Sequence, residues 1–406
     1  MHKLFVCVAS MCLAVSACSS NSNSSGKGGG GGRAAGGSAG LDGSDNGGTS
    51  GNSAGGTGGS SATGGSKATG GTQATGGAQA TGGAQETGGA QATGGAQATG
   101  GAQATGGTGG TANNDICPTQ ANWPDPLPAA NARMAHQITS GLPGQTEGPV
   151  WIASKGFLLF TQFVGTGTGG TVRRLTPPSA IDTFLPNVGL NGLALDVDGQ
   201  LLAAAHEIQW MVKYNLDTKT RTVVGAPSTY MNKPFNSVND LTVRRDGNIY
   251  FSDPTWQRGN RDGQDVAAFF RRAPNGTLTR LFPGSQPNSV GLSPDGNTLY
   301  VGDQSGQIRK QALSADGAPM GAPTNFGMNV GGTDGLAIDC AGNVYATTGS
   351  GVHVLAAGTG NKLGVITVTG GSTSNAAFGG ADRKTLYITG SGRLHEIVLN
   401  VPGFPY

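Results

Sequence analysis

Asn236-Ser237-Val238-Asn239-Asp240-Leu241-Thr242-Val243-Arg244-Arg245-Asp246-Gly247-Asn248-Ile249-Tyr250-Phe251-Ser252-Asp253-Pro254 holds an alternating run, an Asp-Gly pair and a β-rich aromatic run, in that order. Asp-Gly between two such runs is a strong hairpin signal, because both residues tolerate the positive φ of a tight turn. A polar pair, Asn239-Asp240, stands where the first strand begins.

The same pattern recurs along the chain. Aligning the hairpins puts Ser154, Asp198, Asp246, Asp295, Ala341 and Asp382 at the turn, about 41 to 49 residues apart. Leu195-Asp196-Val197-Asp198-Gly199-Gln200-Leu201-Leu202 is one copy, and Leu292-Ser293-Pro294-Asp295-Gly296-Asn297-Thr298-Leu299-Tyr300-Val301 is another. The fifth and sixth copies, around Ala341 and Asp382, keep the shape with altered turns. One repeat is long enough for a four-stranded sheet, and no convincing amphipathic helix interrupts the series. The pattern predicts an all-β, six-bladed β-propeller. A β-sandwich would not keep one polar position in phase across six units.

Seven residues before each turn lie Glu147, Asn191, Asn239, Asn288, Asp334 and Asn375, all with oxygen-bearing side chains. In a propeller the innermost strands line a central channel, so residues at one phase form a ring around its axis. Two carboxylates and four amide oxygens, without His or Cys, suit a hard cation, Ca²⁺ first, with Mg²⁺, Mn²⁺ or Zn²⁺ as other divalent ions. At one position alone, an Asn or Asp that satisfies turn backbone would be the simpler reading. Six in phase favour a central metal site. The second strand of each hairpin returns to the same end, at Gln162, His206, Asp253, Asp303, Thr348 and Gly390. This outer ring would border the mouth. His206 is a candidate base or substrate ligand, or else a packed structural histidine. Asp253 and Asp303 are candidate substrate contacts, or turn residues. Trp256 and the polar loop from Arg258 to Asp265 read as a lid or pocket wall, or as a plain surface insertion.

Upstream the composition changes. Met1-His2-Lys3 and the apolar run from Leu4 to Val15 are too short to span a bilayer and fit a secretory signal. The run ends in Val15-Ser16-Ala17-Cys18, which resembles a bacterial lipoprotein signal, and implies lipidation at Cys18 and a stable anchor through its acyl chains. Residues 1–18 are therefore expected to be the signal segment. Residues 19–114 are Gly-, Ala-, Ser-, Thr- and Gln-rich, with the hexad Ala-Thr-Gly-Gly-Ala-Gln repeating from about Ala62 to Thr105. Nothing bulky recurs to build a stacked core, so a disordered tether is expected, with a reach of roughly 55 Å. The propeller is expected over 115–406, with its core about 141–403. Ser19-Ser20 after the lipidated cysteine favours the outer membrane or cell surface as the destination.

Net charge is +2 without a basic stripe, which argues against a nucleic-acid partner. A monomer is expected. After export, Cys117 and Cys340 remain, and either a bridge between them or two separate thiols is compatible with the sequence.

Several motifs carry a family resemblance: Glu147-Gly148-Pro149-Val150-Trp151, Asn191-Gly192-Leu193, Asn236-Ser237-Val238-Asn239-Asp240-Leu241, Tyr250-Phe251-Ser252-Asp253-Pro254, Pro287-Asn288-Ser289-Val290-Gly291-Leu292 and Asp334-Gly335-Leu336. In this order the chain resembles the regucalcin (senescence marker protein)/gluconolactonase/luciferin-regenerating enzyme family over nearly all of Gly141 to Gly403. The stretch Asn375-Ala376-Ala377-Phe378-Gly379-Gly380 looks particularly like bacterial gluconolactonases. The resemblance implies a six-bladed propeller with an axial divalent cation. It also implies Glu147, Asn288 and Asp334 as metal ligands, Asn239 at the metal or the substrate, and Asp240 beside it. Metal-assisted opening of a lactone is the implied activity, with Asp334 or Asp240 as the base. Asn191, His206, Asp253 and Asn375 are the candidate substrate contacts. Two departures stand out: Phe160-Thr161-Gln162 replaces the usual Phe-Ser-Asp, and Glu207-Ile208-Gln209-Trp210 replaces the Arg pair that follows His206 in many gluconolactonases. Both leave the metal core intact and unsettle a sugar-lactone substrate. The competing expectations are a surface binding propeller with structural Ca²⁺, and a phosphotriesterase-type hydrolase at the same metal.

Overall fold

The computed structural model describes residues 117–404, apart from 121 and 166. The expected signal segment, Cys18 and the 19–114 tether lie outside the described residues. A first strand, β1 (His136–Thr139), precedes blade 1, which comprises β2 (Gln145–Ile152), β3 (Phe157–Phe163), β4 (Gly170–Thr176) and β5 (Ala180–Val188). Blade 2 comprises β6 (Leu190–Leu195), β7 (Leu201–Ala205), β8 (Trp210–Tyr214) and β9 (Arg221–Val223). A small hairpin, β10 (Thr229–Tyr230) and β11 (Lys233–Pro234), leads into blade 3: β12 (Leu241–Val243), β13 (Ile249–Asp253), β14 (Ala268–Arg272) and β15 (Leu278–Pro283). Blade 4 comprises β16 (Pro287–Leu292), β17 (Thr298–Asp303), β18 (Gln307–Leu313) and β19 (Pro319–Met328). Blade 5 comprises β20 (Leu336–Ile338), β21 (Val344–Thr348), β22 (Gly351–Leu355) and β23 (Lys362–Ile366). Blade 6 contains β24 (Ala376–Gly379), β25 (Thr385–Gly390) and β26 (Arg393–Val398), and β1 pairs antiparallel with β26 as its outer strand.

The innermost strands β2, β6, β12, β16, β20 and β24 meet one another in cyclic order, and β24 returns to β2. The fold is the expected six-bladed propeller. The expected core began near residue 141, yet the ring closes through β1, five residues earlier. No hairpin signal marks that strand, because its partner is β26, more than 250 residues away.

The middle strands are apolar on both faces because neighbouring blades cover both. All five residues of β7, Leu-Leu-Ala-Ala-Ala, are buried, whereas all three of the outermost β9 are exposed. The cores therefore lie between blades. Leu159, Leu190, Leu193 and Ala203 fill the joint of blades 1 and 2. At the next joint Phe235 stands 5.1 Å from Trp210, 5.2 Å from Phe251 and 5.0 Å from Phe270, centroid to centroid. Burying such rings contributes about 1.5–3 kcal/mol each.

The turn aspartates do local work. Asp196 Oδ1 accepts the amides of Asp198 (3.0 Å) and Gln200 (2.8 Å), and Asp339 Oδ1 accepts those of Ala341 (3.0 Å) and Asn343 (2.9 Å). Asp246 and Asp295 do the same for Asn248 and Asn297. Of the two open readings for the cysteines, the bridge is present: Cys117 and Cys340 are disulfide-bonded, which ties the lead-in to the turn of blade 5.

Candidate functional site

Each innermost strand begins at the end of the channel opposite the Asp-Gly turns, and there the six in-phase residues come together. Glu147, Asn191, Asn239, Asn288 and Asn375 are buried, while Asp334 is partly exposed. Hydrogen bonds cross all six blade joints at this level. Thr161 Oγ1 donates to Asn191 O (2.9 Å), Gly192 N to Asn239 O (2.8 Å), and Val290 N to Asp240 Oδ2 (3.3 Å). Asn288 Nδ2 donates to Asp334 Oδ1 (2.6 Å), Thr347 Oγ1 to Ser374 O (2.6 Å), and Ser374 Oγ to Thr146 O (2.6 Å). The belt is closed, so each ring residue is held by the blade beside it.

In blades 1, 2 and 5 the ring residue is followed by glycine (Gly148, Gly192, Gly335), which lets the neighbouring blade approach closely. A Cβ on Gly335 would fall 2.2 Å from Asn375 Oδ1, and one on Gly192 would fall 2.7 Å from Asp240 Oδ1. Neither space admits a methyl group. Asp240, one residue beyond the phase of the ring, thereby joins it.

Three carboxylates share this space. Burial holds Glu147 well above the usual carboxylate range, and the charges of Asp334 and Asp240 raise it further, against hydrogen bonds from Gly148 N and Ser374. Burial pushes Asp240 up to about 7 despite amide donors at Val290 and Leu241. Asp334 is also pushed up to about 7 by burial, opposed by Asn288. None of their hydrogen-bond partners is a basic side chain. Three acids in one low-dielectric space ionise together only with a compensating cation. Among the described residues no three His, Cys, Asp or Glu side chains form a metal-holding group by themselves. An ion here would need amide oxygens too, and the buried Asn191 Oδ1 has no hydrogen-bond partner. A mixed carboxylate and amide set fits Ca²⁺, which accepts six to eight oxygens in adaptable geometry.

The outer ring is different in character. Asp253 accepts the amides of Asn236 (2.8 and 2.9 Å) and Ser237 (2.9 Å), and so shapes the loop that delivers Asn239. Asp303 accepts Ser285 N (3.0 Å), Ser305 N (2.9 Å) and Arg309 Nη2 (2.9 Å). Gln162 donates to Pro143 O (2.9 Å) and accepts Arg173 Nε (2.7 Å). Thr348 is bonded to Gly351 O (3.0 Å). His206 is fully buried, edge-on to Phe163 at 5.6 Å. Burial lowers it to about 4. Asn375 faces the ring and donates to the Asp240 carboxylate.

One set of contributors went unread in the sequence. Thr161, Ser252, Thr347 and Thr389 each stand one residue before an outer-ring position, again in phase. Their hydroxyls hold the ring backbone: Ser252 Oγ accepts Asp240 N (3.0 Å), Thr347 Oγ1 accepts Gly335 N (2.6 Å), and Thr389 Oγ1 accepts Asn375 N (3.2 Å). Periodic hydroxyls are a legible signal, but β propensity alone accounts for Thr in strands and hides them.

A wide recess, ≈1120 Å³, opens among the hairpin turns and is lined by none of the ring residues. A cavity of ≈60 Å³ reaches from Asp240 and Asn375 to Phe378 and Phe404. Convergent chemistry, not volume, marks the site.

Residues 145–392 match the SMP-30/Gluconolactonase/LRE-like region. The chain belongs to this family. Within it, a gluconolactonase of Zymomonas mobilis is 31% identical over 285 residues, covering 62% of this chain and 77% of that one. The solved gluconolactonase of Xanthomonas campestris is 28% identical with a TM-score of 0.58, over 70% of this chain and 97% of that one. A calcium-binding regucalcin of Agrobacterium tumefaciens, 21% identical with a TM-score of 0.56 over 66% of this chain and 95% of its own, shares the fold. The match runs from β2 into the β25–β26 turn, through blades 1 to 5 and the two inner strands of blade 6.

Proposed function

We propose that the chain is a divalent-metal-dependent lactone hydrolase, with Ca²⁺ as the resident ion. The observation that carries this reading is the crowding of Glu147, Asp240 and Asp334, three carboxylates without a basic partner, the first two buried and the third partly exposed, at one mouth of the channel. Glu147, Asn288 and Asp334 would hold the ion, with Asn239 beside them. A bound divalent cation supplies Lewis-acid polarisation of the lactone carbonyl. The chain's own part is to place a base and a fixed frame. Asp240 is the residue suited to take the proton of the attacking water, because Asp334 would have its charge drawn to the ion and is already bonded to Asn288. Val290 N and Asn375 orient the Asp240 carboxylate, and the belt prevents it from swinging away. Gly148 N orients Glu147 in the same way.

The roles separate by substitution. Asp240→Asn should retain Ca²⁺ binding and lose about 10²–10⁴-fold in kcat, whereas Asp334→Asn should lose both binding and turnover. Calorimetric Ca²⁺ titration together with turnover of an aldonolactone and simple γ- and δ-lactones measures both. Undiminished turnover in Asp240→Asn would remove Asp240 from the mechanism. Tight Ca²⁺ binding without turnover of any lactone would leave the ion a structural role.

We also infer that the protein is exported and lipid-anchored through Cys18, with 19–114 as its tether to the cell envelope. The short basic start and apolar run before Cys18 support this reading. Cys18→Ser should move the protein from the membrane fraction to the soluble one, and surface protease accessibility tests the outward-facing location.

A further inference from the structure

The rim above blades 2 and 3 carries exposed apolar side chains. Trp256 is 39% exposed and Ile208 is 41% exposed, each on a loop at the mouth. Trp256 sits on a strap anchored to both neighbouring ring strands. On one side Gln286 Oε1 accepts Thr255 N (3.0 Å) and Gln286 Nε2 donates to Thr255 Oγ1 (3.0 Å), two residues before Asn288. On the other, Ser237 Oγ accepts Gln257 N (3.3 Å) and donates to Pro254 O (2.7 Å), two residues before Asn239. The strap that carries Trp256 is thus tied to the loops that deliver two of the ring amides.

Ile208 is brought alongside by one guanidinium. Arg261 Nη2 donates to His206 O and to Gln257 O, both at 2.7 Å, and Nη1 donates to Glu207 O at 2.7 Å. The turn bearing Ile208 and the strap bearing Trp256 are clamped together. Several polar side chains nearby are engaged by the scaffold. Arg258 Nη1 donates to Asn236 Oδ1 (2.8 Å), Arg221 pairs with Glu207 (2.7 Å), and Asp253, Asp303 and Gln162 hold loops as described above. Gln257 Oε1, Arg258 Nε and Glu207 Oε2 are buried without a hydrogen-bond partner, so they lie away from solvent, while an indole and a sec-butyl group remain uncovered.

We propose that Trp256 and Ile208 form an apolar lip that binds the alkyl or aryl substituent of the lactone, so that the substrate class is hydrophobic ring-substituted lactones instead of polyhydroxylated ones. This rests on the lactonase reading above. An apolar chain lying along the lip would remove the exposed faces of both residues from water, which is favourable in proportion to the area covered. A fully buried methylene is worth about fourfold in binding, so one-sided contact should give about twofold per methylene.

The test is kcat/KM of the full metal-loaded protein for γ-butyrolactone, γ-hexalactone, γ-octalactone, γ-decalactone and glucono-δ-lactone. In parallel, γ-decalactam, the non-hydrolysable amide, is titrated by calorimetry. Preference should rise about twofold per methylene in the wild type. In Trp256→Ala the ratio of γ-decalactone to γ-butyrolactone should fall about fivefold or more, and Trp256→Phe should restore most of it. A flat series, a preference for glucono-δ-lactone, or an unchanged ratio in Trp256→Ala overturns the lip. If no lactone is turned over, the lactonase reading fails by itself, and the lactam then decides the lip. Saturable binding lost in Trp256→Ala sustains it, and no binding overturns it.

Discussion

Gly192→Ala probes the joint between blades 2 and 3, where the proposed base is held. The added Cβ would lie 2.7 Å from Asp240 Oδ1, 2.8 Å from Asn239 O and 2.9 Å from Asp240 Cα. Two of those three neighbours are backbone, so a side-chain rotation cannot relieve the contact. Carbon contacts are comfortable only at about 3.5 Å, and blade 3 would have to retreat by more than about half an ångström. Gly192 is not in the left-handed region, so the backbone itself accepts alanine and the cost is steric. Overpacking of this kind costs about 1–3 kcal/mol, and at about 2–4 °C per kcal/mol the midpoint should fall by several degrees. The retreat also stretches the Gly192 N to Asn239 O bond and moves the Asp240 carboxylate. Misplacement of a reacting group by about 1 Å costs roughly 10²-fold, so kcat should fall about 10- to 100-fold. Thermal unfolding by circular dichroism, Ca²⁺ titration and lactone turnover on one preparation measure all three effects. Wild-type midpoint and wild-type kcat together would refute the close approach of the two blades at the ring.

Three further outcomes follow from the same coordinates. Chelation should lower the unfolding midpoint, and Ca²⁺ restored to a hundredfold over its Kd should return about 2.7 kcal/mol, a gain that Glu147→Gln diminishes in a calorimetric titration. His206 is held neutral by burial, at about 4 against 6.5 unfolded, so the unfolded chain binds the extra proton between those values. Its contribution is present above about pH 6.5 and is lost as pH falls toward 4, by roughly 3 kcal/mol at most, and urea unfolding of His206→Phe should show a flatter dependence across that window. Finally, Cys117 and Cys340 are 223 residues apart in sequence. Serine at both should cost up to about 5 kcal/mol, and a midpoint unchanged from that of the oxidised wild type would mean that the lead-in adds nothing to the ring.

The sequence by itself determined the repeat, the all-β class and the set of residues that meet on the axis. Those properties are periodic: a polar side chain seven residues before every turn must occupy the same height in every blade, and rotation about one axis does the rest. The family motifs are legible for the same reason, since each is a local string. What the tertiary structure decided is which polar groups remain uncommitted once the ring has closed. Asp253, Asp303 and Gln162 look as available as Asp240 in one dimension, yet they are engaged by loop amides and by Arg309 and Arg173. Asp240 joins the site only because Gly192, 48 positions earlier, leaves room for it. Closure through β1 and the bond from Ser374 to Thr146, 228 residues apart, are equally invisible locally. Hydrogen bonds saturate, and the partner that saturates each group is chosen by proximity in space. Spacing along the chain therefore names the candidates, and packing between blades selects among them.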